Sequence, residues 1–473
     1  MISPLLTDLY QLTMAYGYWK LGLHEREAVF HLIFRKNPFR GNYAIACGLK
    51  TVIDFLREWR FAEDDLTYLR SLRAPDGQLL FEAEFLGYLK TLRFSCDLDA
   101  IPEGTVVLPN EPLLRIKGPL LQGQLLESTL LNIVNFQTLI ATKASRVCQA
   151  AKGDTVLEFG LRRAQGPDGA LSASRAAYVG GVDATSNVLA GKLYGIPVRG
   201  THAHSWVTVF PDELSAFSAY AKVMPQNFAL LVDTYDTIQG VKNAIKTAKN
   251  TGLALQAVRL DSGEMTELSI KARELLDAAG FRETKIIASN SLDEYTIAAM
   301  KQKGAPISVW GVGTNLVTSY DQPALDGVYK LSALRDDKGK WEYKLKLSEQ
   351  TIKISNPGIY QVRRFFSKNS TVFDVMYDVE LGIPKNPSMA SLIEPSVETH
   401  IKESDSFIDL LKPVFVRGQL VFSPESIHEI RERSLAQAAQ FSSLALTIGL
   451  EKNLHELKQK LISAVSVSHY DVE

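Results

Sequence analysis

The 473-residue chain carries 52 lysine and arginine residues against 53 aspartate and glutamate residues, so its formal net charge is −1. Without a basic excess, nucleic acids and anionic membranes are not expected as principal partners. No segment approaches the roughly 18 uninterrupted apolar residues of a membrane span, and the N-terminus lacks the basic region of a secretion signal. Three widely spaced cysteines fit a reducing compartment, so we expect a cytoplasmic protein of several domains.

Residues 1–120 mix helical and strand-like sequence and are expected to form an N-terminal α/β domain. Residues 7–21 and 50–60 predict helices, whereas residues 106–120 predict short strands broken by proline and glycine. A long amphipathic helix is expected over residues 122–151. Gly153, a residue type that commonly ends helices, marks its C-terminal end.

Short apolar runs then alternate with segments long enough for helices. The six runs that predict strands are 156–159, 196–199, 228–232, 255–260, 285–288 and 307–310. Strands that alternate with helices build parallel sheets. We therefore expect residues 121–326 to form an irregular, incomplete (β/α) barrel, which makes the whole chain an α/β protein.

The remaining sequence changes character again. Residues 327–334 and 341–348 flank a segment rich in Asp and Gly, which predicts a β-hairpin. Strands up to about residue 400 are expected to complete the N-terminal domain. Helical sequence at residues 424–440 and 450–465 predicts that residues 401–473 form a helical C-terminal extension.

Polar, charged or glycine residues follow every predicted strand of the barrel, at residues 158–163, 200–206, 233–236, 259–263, 289–291 and 311–314. The carboxyl ends of parallel strands form the active-site face of such folds. Asp and Ser at these positions can also do no more than cap the following helices. Six strand ends of this kind in register favour a site.

The residue types at these ends predict a pocket for an anionic ligand. The Gly311–Thr314 turn is typical of backbone that approaches a phosphate. Three arginines offer forked hydrogen bonds to phosphate or carboxylate: Arg162, Arg163 and Arg259. Three carboxylates can hold sugar hydroxyls or Mg2+: Asp233, Asp236 and Asp261. No P-loop or complete dinucleotide-binding glycine motif occurs, which disfavours an ordinary kinase or dehydrogenase.

His202 and His204 form a His-x-His pair that raises the possibility of a metal centre. Barrel hydrolases with such a pair need further ligands from later strands, yet the later histidines all lie beyond residue 399. One of the two histidines is then left as an acid–base group, a nucleophile or a structural hydrogen-bonding residue.

Several motifs, in order along residues 5–365, resemble those of the nicotinate phosphoribosyltransferase family. They are Leu6-Thr7-Asp8-Leu9-Tyr10-Gln11 with Met14, Phe34-Arg35-Lys36-Asn37-Pro38-Phe39, residues 158–181 (EFGLRRAQGPDGALSASRAAYVGG), Gly200-Thr201-x-Ala203-His204-Ser205, Arg259-x-Asp261-Ser262-Gly263, Gly311-x-Gly313-Thr314, Lys346-Leu347-Ser348, and Lys353 with Pro357-Gly358. The last ~70 residues carry no such motif.

The resemblance implies a type II phosphoribosyltransferase fold, with an α/β N-terminal domain packed on an incomplete barrel. It also implies a reaction, in which nicotinate and 5-phosphoribosyl 1-diphosphate give nicotinate mononucleotide and diphosphate. ATP hydrolysis is coupled to this transfer through a phosphohistidine, at the start of NAD salvage from nicotinate. Mg2+, ATP as co-substrate, and a homodimer with its site at the subunit interface belong to the same expectation.

The resemblance assigns roles to individual residues. The catalytic residues are His204 (the phosphohistidine), Arg259 and Asp261. Nicotinate is expected to contact Tyr10 of the partner subunit together with Phe159, Arg162, Thr201 and Arg259. The phosphoribosyl diphosphate is expected at Arg35, Arg162, Asp261, Ser289, Asn290, Gly311, Gly313 and Thr314, with Asp233 and Asp261 for a metal ion. His202 is then structural or a neighbour of the site.

Four alternatives stay open. Nicotinamide phosphoribosyltransferase shares the fold, although Arg162-Arg163 and the motif around His204 favour the acid as substrate. Quinolinate phosphoribosyltransferase needs no ATP and would leave His204 without a role. A metal-dependent barrel hydrolase and a phospho-ligand-binding protein without turnover are the more distant alternatives.

Overall fold

A computed structural model describes residues 2–348, 354–366, 371–392, 397–402, 406–442 and 444–470; Lys353 of the family motif lies outside these residues. The chain forms two compact units. The first unit is Met1–Thr138, Ala324–Glu425 and Ala436–Glu473, and the second unit is Leu139–Pro323 and Ser426–Leu435. None of the helices in the described ranges has the length and apolar character needed to cross a membrane.

The elements are numbered in chain order. Up to residue 151 they are α1 (Leu9–Lys20), β1 (Glu27–Phe34), β2 (Ala44–Ile45), α2 (Leu49–Arg57), α3 (Glu63–Ser71), α4 (Ala83–Thr91), β3 (Asp97–Ala100), β4 (Val106–Val107), β5 (Leu114–Pro119), α5 (Leu120–Leu125) and α6 (Glu127–Ala151). The predicted helix over 122–151 is thus two helices, and the two units divide within α6 at residue 138, later than the expected domain boundary at residue 120.

From residue 155 to 317 the elements are β6 (Thr155–Glu158), α7 (Gly166–Val179), β7 (Ala184–Thr185), α8 (Val188–Tyr194), α9 (His204–Thr208), α10 (Glu213–Val223), β8 (Ala229–Leu231), α11 (Thr237–Thr251), β9 (Ala257–Leu260), α12 (Met265–Ala278), β10 (Lys285–Ser289), α13 (Glu294–Gln302), β11 (Val309–Val312) and α14 (Thr314–Val317).

From residue 327 on they are β12 (Gly327–Arg335), β13 (Trp341–Tyr343), β14 (Tyr360–Phe366), β15 (Thr371–Asp378), β16 (Ser388–Ser391), β17 (Glu398–His400), β18 (Ser406–Asp409), β19 (Lys412–Val416), β20 (Gln419–Leu420), α15 (Ile427–Phe441), β21 (Ala445–Glu451) and α16 (Lys452–Tyr470).

The first unit contains two large sheets. The first is antiparallel, in the order β13-β12-β1-β5-β3-β19-β20, and the predicted hairpin forms its β12–β13 edge. Asp336 begins the hairpin turn, where its N–H donates to the Lys340 carbonyl at 2.8 Å. Strand β12 pairs with β1 over Gly327–Phe34 to Leu334–Ala28, so sequence beyond residue 326 completes the N-terminal sheet.

The second sheet of this unit has the order β17-β16-β21-β15-β14-β18. Its strand β21 lies near the centre, parallel to β15 and antiparallel to β16. Helices α15 and α16 form at the stretches predicted to be helical, but residues 406–420 and 445–451 form strands. The expectation of a helical C-terminal extension is therefore wrong, because strand pairing within the unit takes up these residues.

The second unit is built on a six-stranded parallel sheet in the order β7-β6-β11-β10-β9-β8. Each strand contributes one buried side chain to a common cluster: Leu157, Ala184, Ala229, Ala257, Ile287 and Val309. Convergence of one side chain from each strand is typical of the interior of a curved, barrel-like sheet. The predicted α/β class with an incomplete barrel is confirmed.

One predicted strand does not form. Residues 196–199 make only an isolated parallel bridge, between Val198 and Thr185 of β7, through bonds from Thr185 N–H to the Pro197 carbonyl and from Arg199 N–H to the Thr185 carbonyl. Pro197 has no N–H to donate, which limits ladder formation. The two-residue strand β7, which the sequence analysis did not predict, forms the edge of the sheet next to β6 instead.

Candidate active site

The predicted polar residues meet at the carboxyl ends of the parallel strands. Asp233 follows β8, Asp261 follows β9, and Ser289 ends β10. Their backbones are brought together by strand pairing, in which β9 pairs with β8 on one side and β10 on the other. The placement expected for a (β/α) barrel site is therefore met by these three residues.

Arg259 is the centre of the polar network at this end of the sheet. Its side chain is largely buried and donates hydrogen bonds from Nε to Ser289 Oγ at 2.8 Å and from one terminal nitrogen to Thr201 Oγ1 at 3.2 Å. The other terminal nitrogen lies 3.1 Å from Asp261 Oδ1. The planar guanidinium thus fixes groups from two strand ends and from the loop before α9 at once, which a lysine ammonium would not do.

Asp233 and Asp261 are linked through the backbone. Asp233 Oδ2 accepts hydrogen bonds from the Asp261 N–H and from Ser262 Oγ, each at 2.7 Å. The other oxygen, Asp233 Oδ1, is shielded from solvent and accepts no hydrogen bond from the described residues. A buried carboxylate oxygen without a donor is costly unless a cation or ligand satisfies it.

The donor set fits a hard cation. Mg2+ is bound in proteins by one or two carboxylates and otherwise by water and substrate phosphates. Asp233 Oδ1 and the neighbouring Asp261 carboxylate supply that number. Among the described residues no group of three or more His, Cys, Asp or Glu side chains occurs, so the site offers an ion two carboxylates and no larger cage.

His204 begins the short helix α9 with its ring half-exposed. Nδ1 lies 3.1 Å from Thr234 Oγ1, and Nε2 lies 3.7 Å from Asp261 Oδ2. Each ring nitrogen therefore faces a different group of the site, and the exposed edge leaves access for a ligand. The sequence analysis assigned Thr234 no role, although its position directly after Asp233 could have indicated that it lies near the site.

His202 has a structural position. Its Nε2 accepts the Leu231 N–H at 3.1 Å, its Nδ1 lies 3.2 Å from the Ala203 carbonyl, and its ring packs against Tyr220. Burial lowers the pKa of His202 below its usual value, so the neutral ring holds the end of β8. With both nitrogens engaged, His202 has no lone pair for the metal centre that the His-x-His pattern suggested.

Phe159 provides an aromatic surface next to the arginine. The guanidinium carbon of Arg259 lies 5.6 Å from the ring centroid, and the ring packs against the strand cluster described above. Gly311 is needed for this arrangement, because a Cβ there would lie 2.7 Å from the Phe159 ring. Phe159 and Gly311 are thus adjacent, as the predicted site requires.

Glu158 is a residue that the sequence analysis did not single out. This fully buried carboxylate accepts hydrogen bonds from the Gly160 N–H, from Ser174 Oγ at 2.8 Å and from Thr185 Oγ1 at 2.6 Å. It fixes the turn after β6 that carries Phe159. Its signal in the sequence was a lone acidic residue at the end of an apolar run.

Other predicted residues stand apart from the Arg259 network. Arg162 and Arg163 lie exposed in the 3-10 turn Leu161–Arg163, and Asn290 is exposed with φ 101°. Gly313 and Thr314 lie at the start of α14. Tyr10, half-exposed on α1, and Arg35, directly after β1, belong to the first unit.

Of the two roles open to Asp236, helix capping and ligand binding, the structure shows helix capping. Its side chain accepts the Gln239 N–H at 2.7 Å and caps helix α11. This use of Asp is the ordinary N-cap interaction. The acidic segment 233–236 therefore divides between Asp233, which is hydrogen-bonded to Asp261 and Ser262, and the capping residue Asp236.

In a comparison with known proteins, two family models match successive parts of the chain. Residues 5–135 match the nicotinate phosphoribosyltransferase N-terminal domain, and residues 155–375 match the nicotinate phosphoribosyltransferase family. A Bacillus subtilis (strain 168) nicotinate phosphoribosyltransferase is 42% identical over 90% of this chain and 86% of its own length. The Homo sapiens nicotinate phosphoribosyltransferase is 36% identical over 92% of this chain and 90% of its own.

Solved structures agree with the sequence matches. Human nicotinic acid phosphoribosyltransferase superposes with a TM-score of 0.83 at 30% identity, covering 96% of this chain and 99% of that chain. A nicotinate-nucleotide pyrophosphorylase from Pyrococcus furiosus shares the fold, with a TM-score of 0.69 at 24% identity over 92% and 95% of the two chains. The chain belongs to the nicotinate phosphoribosyltransferase family.

Proposed function

We propose that this enzyme transfers the phosphoribosyl group of 5-phosphoribosyl 1-diphosphate to nicotinate, at the start of NAD salvage from nicotinate. The observation that carries the proposal is the Arg259 network, in which a forked cation lies beside the Phe159 ring and donates to Ser289 and Thr201. An aromatic surface next to a guanidinium suits a flat ring that bears a carboxylate. Names of the relatives support the same substrate.

The transfer needs no nucleophile from the protein. The pyridine nitrogen of nicotinate forms a bond to the anomeric carbon while the bond from that carbon to the diphosphate oxygen breaks, and the electron pair leaves with diphosphate. The rate then depends on alignment and on charge stabilisation in the transition state. Phe159 and Arg259 orient the acceptor ring, and Thr201 adds a hydroxyl next to the Arg259 fork.

We propose that Mg2+ accompanies the diphosphate and is held by Asp233 and Asp261. The ion supplies positive charge for the leaving diphosphate. Asp261 has a second task, because its Oδ1 accepts hydrogen bonds from Ser289 and Arg259 and so keeps that oxygen in place. Arg35, Arg162, Ser289, Asn290 and the Gly311–Thr314 turn remain the proposed contacts of the phosphates.

We also propose that ATP phosphorylates His204. The γ-phosphoryl group would move to a ring nitrogen as its bond to ADP breaks, and water would later release it as phosphate. Nε2, on the side of Asp261 and away from Thr234, is the favoured acceptor atom. A phosphoryl group there would add negative charge that favours Mg2+ binding, and the ion would in turn favour binding of the sugar diphosphate.

The assay for this function uses two acceptors. Purified protein is incubated with 5-phosphoribosyl 1-diphosphate and Mg2+, with nicotinate or nicotinamide, in the presence or absence of ATP, while mononucleotide and ADP are quantified. We expect nicotinate mononucleotide, formed faster with ATP and accompanied by ADP. Product from nicotinamide alone would overturn the proposed substrate, and no product from either would overturn the proposed activity.

His204→Ala tests the coupling. This variant should form no phosphohistidine and no ATP-dependent ADP, while a slow transfer without ATP persists. His202→Ala is the matched control for the neighbouring ring, and it should lose stability while the protein that remains folded still couples ATP to transfer. Unchanged ATP stimulation in His204→Ala would exclude the phosphohistidine.

We propose a cytoplasmic homodimer in which Tyr10 completes the site of the partner subunit. Its exposed position on α1 supports this assignment. Tyr10→Ala and His204→Ala should each lack ATP-stimulated transfer. Mixing the two proteins, with subunit exchange, should restore up to a quarter of the wild-type ATP-stimulated activity, because one of the two sites in a mixed dimer contains both wild-type residues. Failure of the mixture to regain activity despite exchange would show that each subunit uses its own Tyr10.

A further inference from the structure

A cavity of about 830 Å3 in the first unit has one wall from strand β21 and one from helix α16. Leu446, Ile448 and Leu450 alternate along β21 and line the cavity, as side chains on one face of a strand do. His455, Lys458 and Ile462 have the spacing of one helix face and line it from α16. The cavity therefore has an apolar wall opposite a polar one.

The charge of this cavity is positive. Lys458 and Arg35 are among its lining residues, with His455 beside them, and no described lining residue is acidic. Lys458 Nζ donates to Asn356 Oδ1 at 2.8 Å, and no carboxylate forms an ion pair with it among the described residues. Burial lowers the pKa of the Lys458 amine to about 8. A cation that is held by an amide rather than a carboxylate stays available to an anion.

A shielded polar atom without a hydrogen-bond partner also indicates that the cavity holds a ligand. Asn37 lines the cavity, and its Oδ1 is shielded from solvent without a hydrogen-bond partner in the described part of the chain. Buried polar atoms of this kind usually have a partner. A ligand with donors of its own, in addition to an anionic group, would satisfy it.

We propose that this cavity is a second ligand site, for an organic phosphate of about mononucleotide size. The volume lies within the range of small-molecule pockets, the phosphate suits Lys458 and Arg35, and an apolar or ring-shaped body suits the β21 wall. Lys458 and His455 lie outside both matched family regions, which end at residue 375. Arg35 also belongs to the phosphate contacts proposed above, so the two sites share this residue, whereas Lys458 and His455 belong to the cavity alone.

Pyridoxal 5′-phosphate is a suitable probe, because it carries a phosphate, a ring and an aldehyde that condenses with a free amine to give an imine and water. After reduction of the imine with borohydride, labelled lysines are identified by peptide mapping of the full-length protein. At pH 8 about half of a Lys458 amine with this pKa is unprotonated, against under about 1% for an ordinary lysine. We expect Lys458 to be labelled at least about tenfold faster than Lys460, an exposed lysine on the same helix.

AMP, ribose 5-phosphate and inorganic phosphate serve as competitors and show which part of an organic phosphate is recognised. We expect at least one of the two organic phosphates to protect Lys458 more strongly than inorganic phosphate does. Lys458→Met should abolish the fast labelling phase with no change in melting temperature, whereas the matched variant Lys460→Met should retain it.

Three results would overturn the proposal. They are labelling of Lys458 no faster than that of Lys460, fast labelling without protection by either organic phosphate, and protection by 5-phosphoribosyl 1-diphosphate alone. The last result would assign the cavity to the substrate site. None of the three bears on the transfer assay, so failure here and failure of the proposed function are distinguishable.

Discussion

Thr234 contacts His204, and Glu158 holds the turn that carries Phe159, although the sequence analysis assigned neither residue a role of its own. Arg259, Asp261 and Ser289 were predicted to lie together, because each ends a strand and neighbouring strand ends meet at one edge. Thr234 contacts His204 only because the loop after β8 turns back towards α9. A one-dimensional pattern gives the strand ends but not the direction of a loop side chain.

Replacing Thr234 by Val tests this contact. The hydroxyl contacts Nδ1 and so orients the ring with Nε2 on the side of Asp261, and its loss should lower ATP-stimulated turnover about tenfold or more. Transfer without ATP should stay within about twofold of wild type. The measurements are ADP formation and phosphohistidine yield.

Thr208→Val is the control for the Thr234 experiment, since the Thr208 hydroxyl donates only to the Ser205 carbonyl within α9. Equal coupling in Thr234→Val and wild type would show that the hydroxyl does not orient His204.

His31 predicts a pH dependence of stability. This fully buried ring contacts Ser332 Oγ through Nδ1 at 2.9 Å and stacks on Tyr360. Burial, and after it the charge of Arg115, hold the pKa of His31 well below its usual value. The unfolded chain therefore binds more protons below about pH 6.5, so the stability contribution is complete above that pH and is lost as the pH falls.

The predicted loss between pH 7.5 and 5.5 is about 1 kcal/mol for this one ring. Urea unfolding of His31→Gln should show a correspondingly smaller loss than wild type over the same interval. His400→Gln, which changes an exposed histidine, is the control and should follow wild type. Identical pH dependence in His31→Gln and wild type would remove His31 as the cause.

At the scale of elements, packing of helix α11 on strand β8 depends on close backbone approach. A Cβ on Gly240 would lie 1.9 Å from the Val232 carbonyl oxygen, an impossible distance without movement of the helix. The helix is also fixed at its start by the Asp236 cap. Asp233 lies next to Val232, so the contact supports the site as well as the core.

Gly240→Ala should lower the free energy of unfolding by at least about 3 kcal/mol, because overpacking against backbone is poorly relieved. A Cβ added to Gly169, in helix α7, would meet nothing within 4 Å, and Gly169→Ala should raise stability by about 0.5–1 kcal/mol. Chemical denaturation of both variants gives the comparison. A neutral Gly240→Ala would mean that α11 shifts freely.

The length and apolar sequence of each strand explain which strands could be predicted. Five of the six apolar runs form strands, since a buried parallel strand needs a short, continuous apolar sequence. The exception, residues 196–199, contains Pro197, and the two-residue strand β7 is too short to give a pattern. Local sequence therefore predicted the strands that have a continuous apolar run, including β8 at one sheet edge, and not the two-residue β7 at the other edge.

For the whole molecule, the last segment of the chain completes the core of the first unit. Strand β21 pairs with β15 over six residue pairs and with β16 over three, and Ile448 and Leu450 are buried. A separate extension would be dispensable, whereas a near-central strand is not.

Truncation after Ser442 should therefore abolish the cooperative unfolding transition of the first unit and make the protein largely insoluble. The truncation removes two sheet interfaces, and a typical domain is stabilised by only roughly 5–15 kcal/mol. Calorimetry and solubility after expression are the measurements. A chain ending at Tyr470 is the control, and a soluble short chain with an unchanged transition would contradict the prediction.

The α/β class, the strand ends that carry Arg259, Asp261 and Ser289, and the family all follow from the amino-acid sequence, because periodicity and motif order are properties of the chain. Tertiary structure decided the rest. It pairs residues 445–450 with β15, engages both nitrogens of His202, and makes Asp236 a helix cap. Those outcomes depend on which distant backbone groups need partners, and that is fixed only when the sheets assemble.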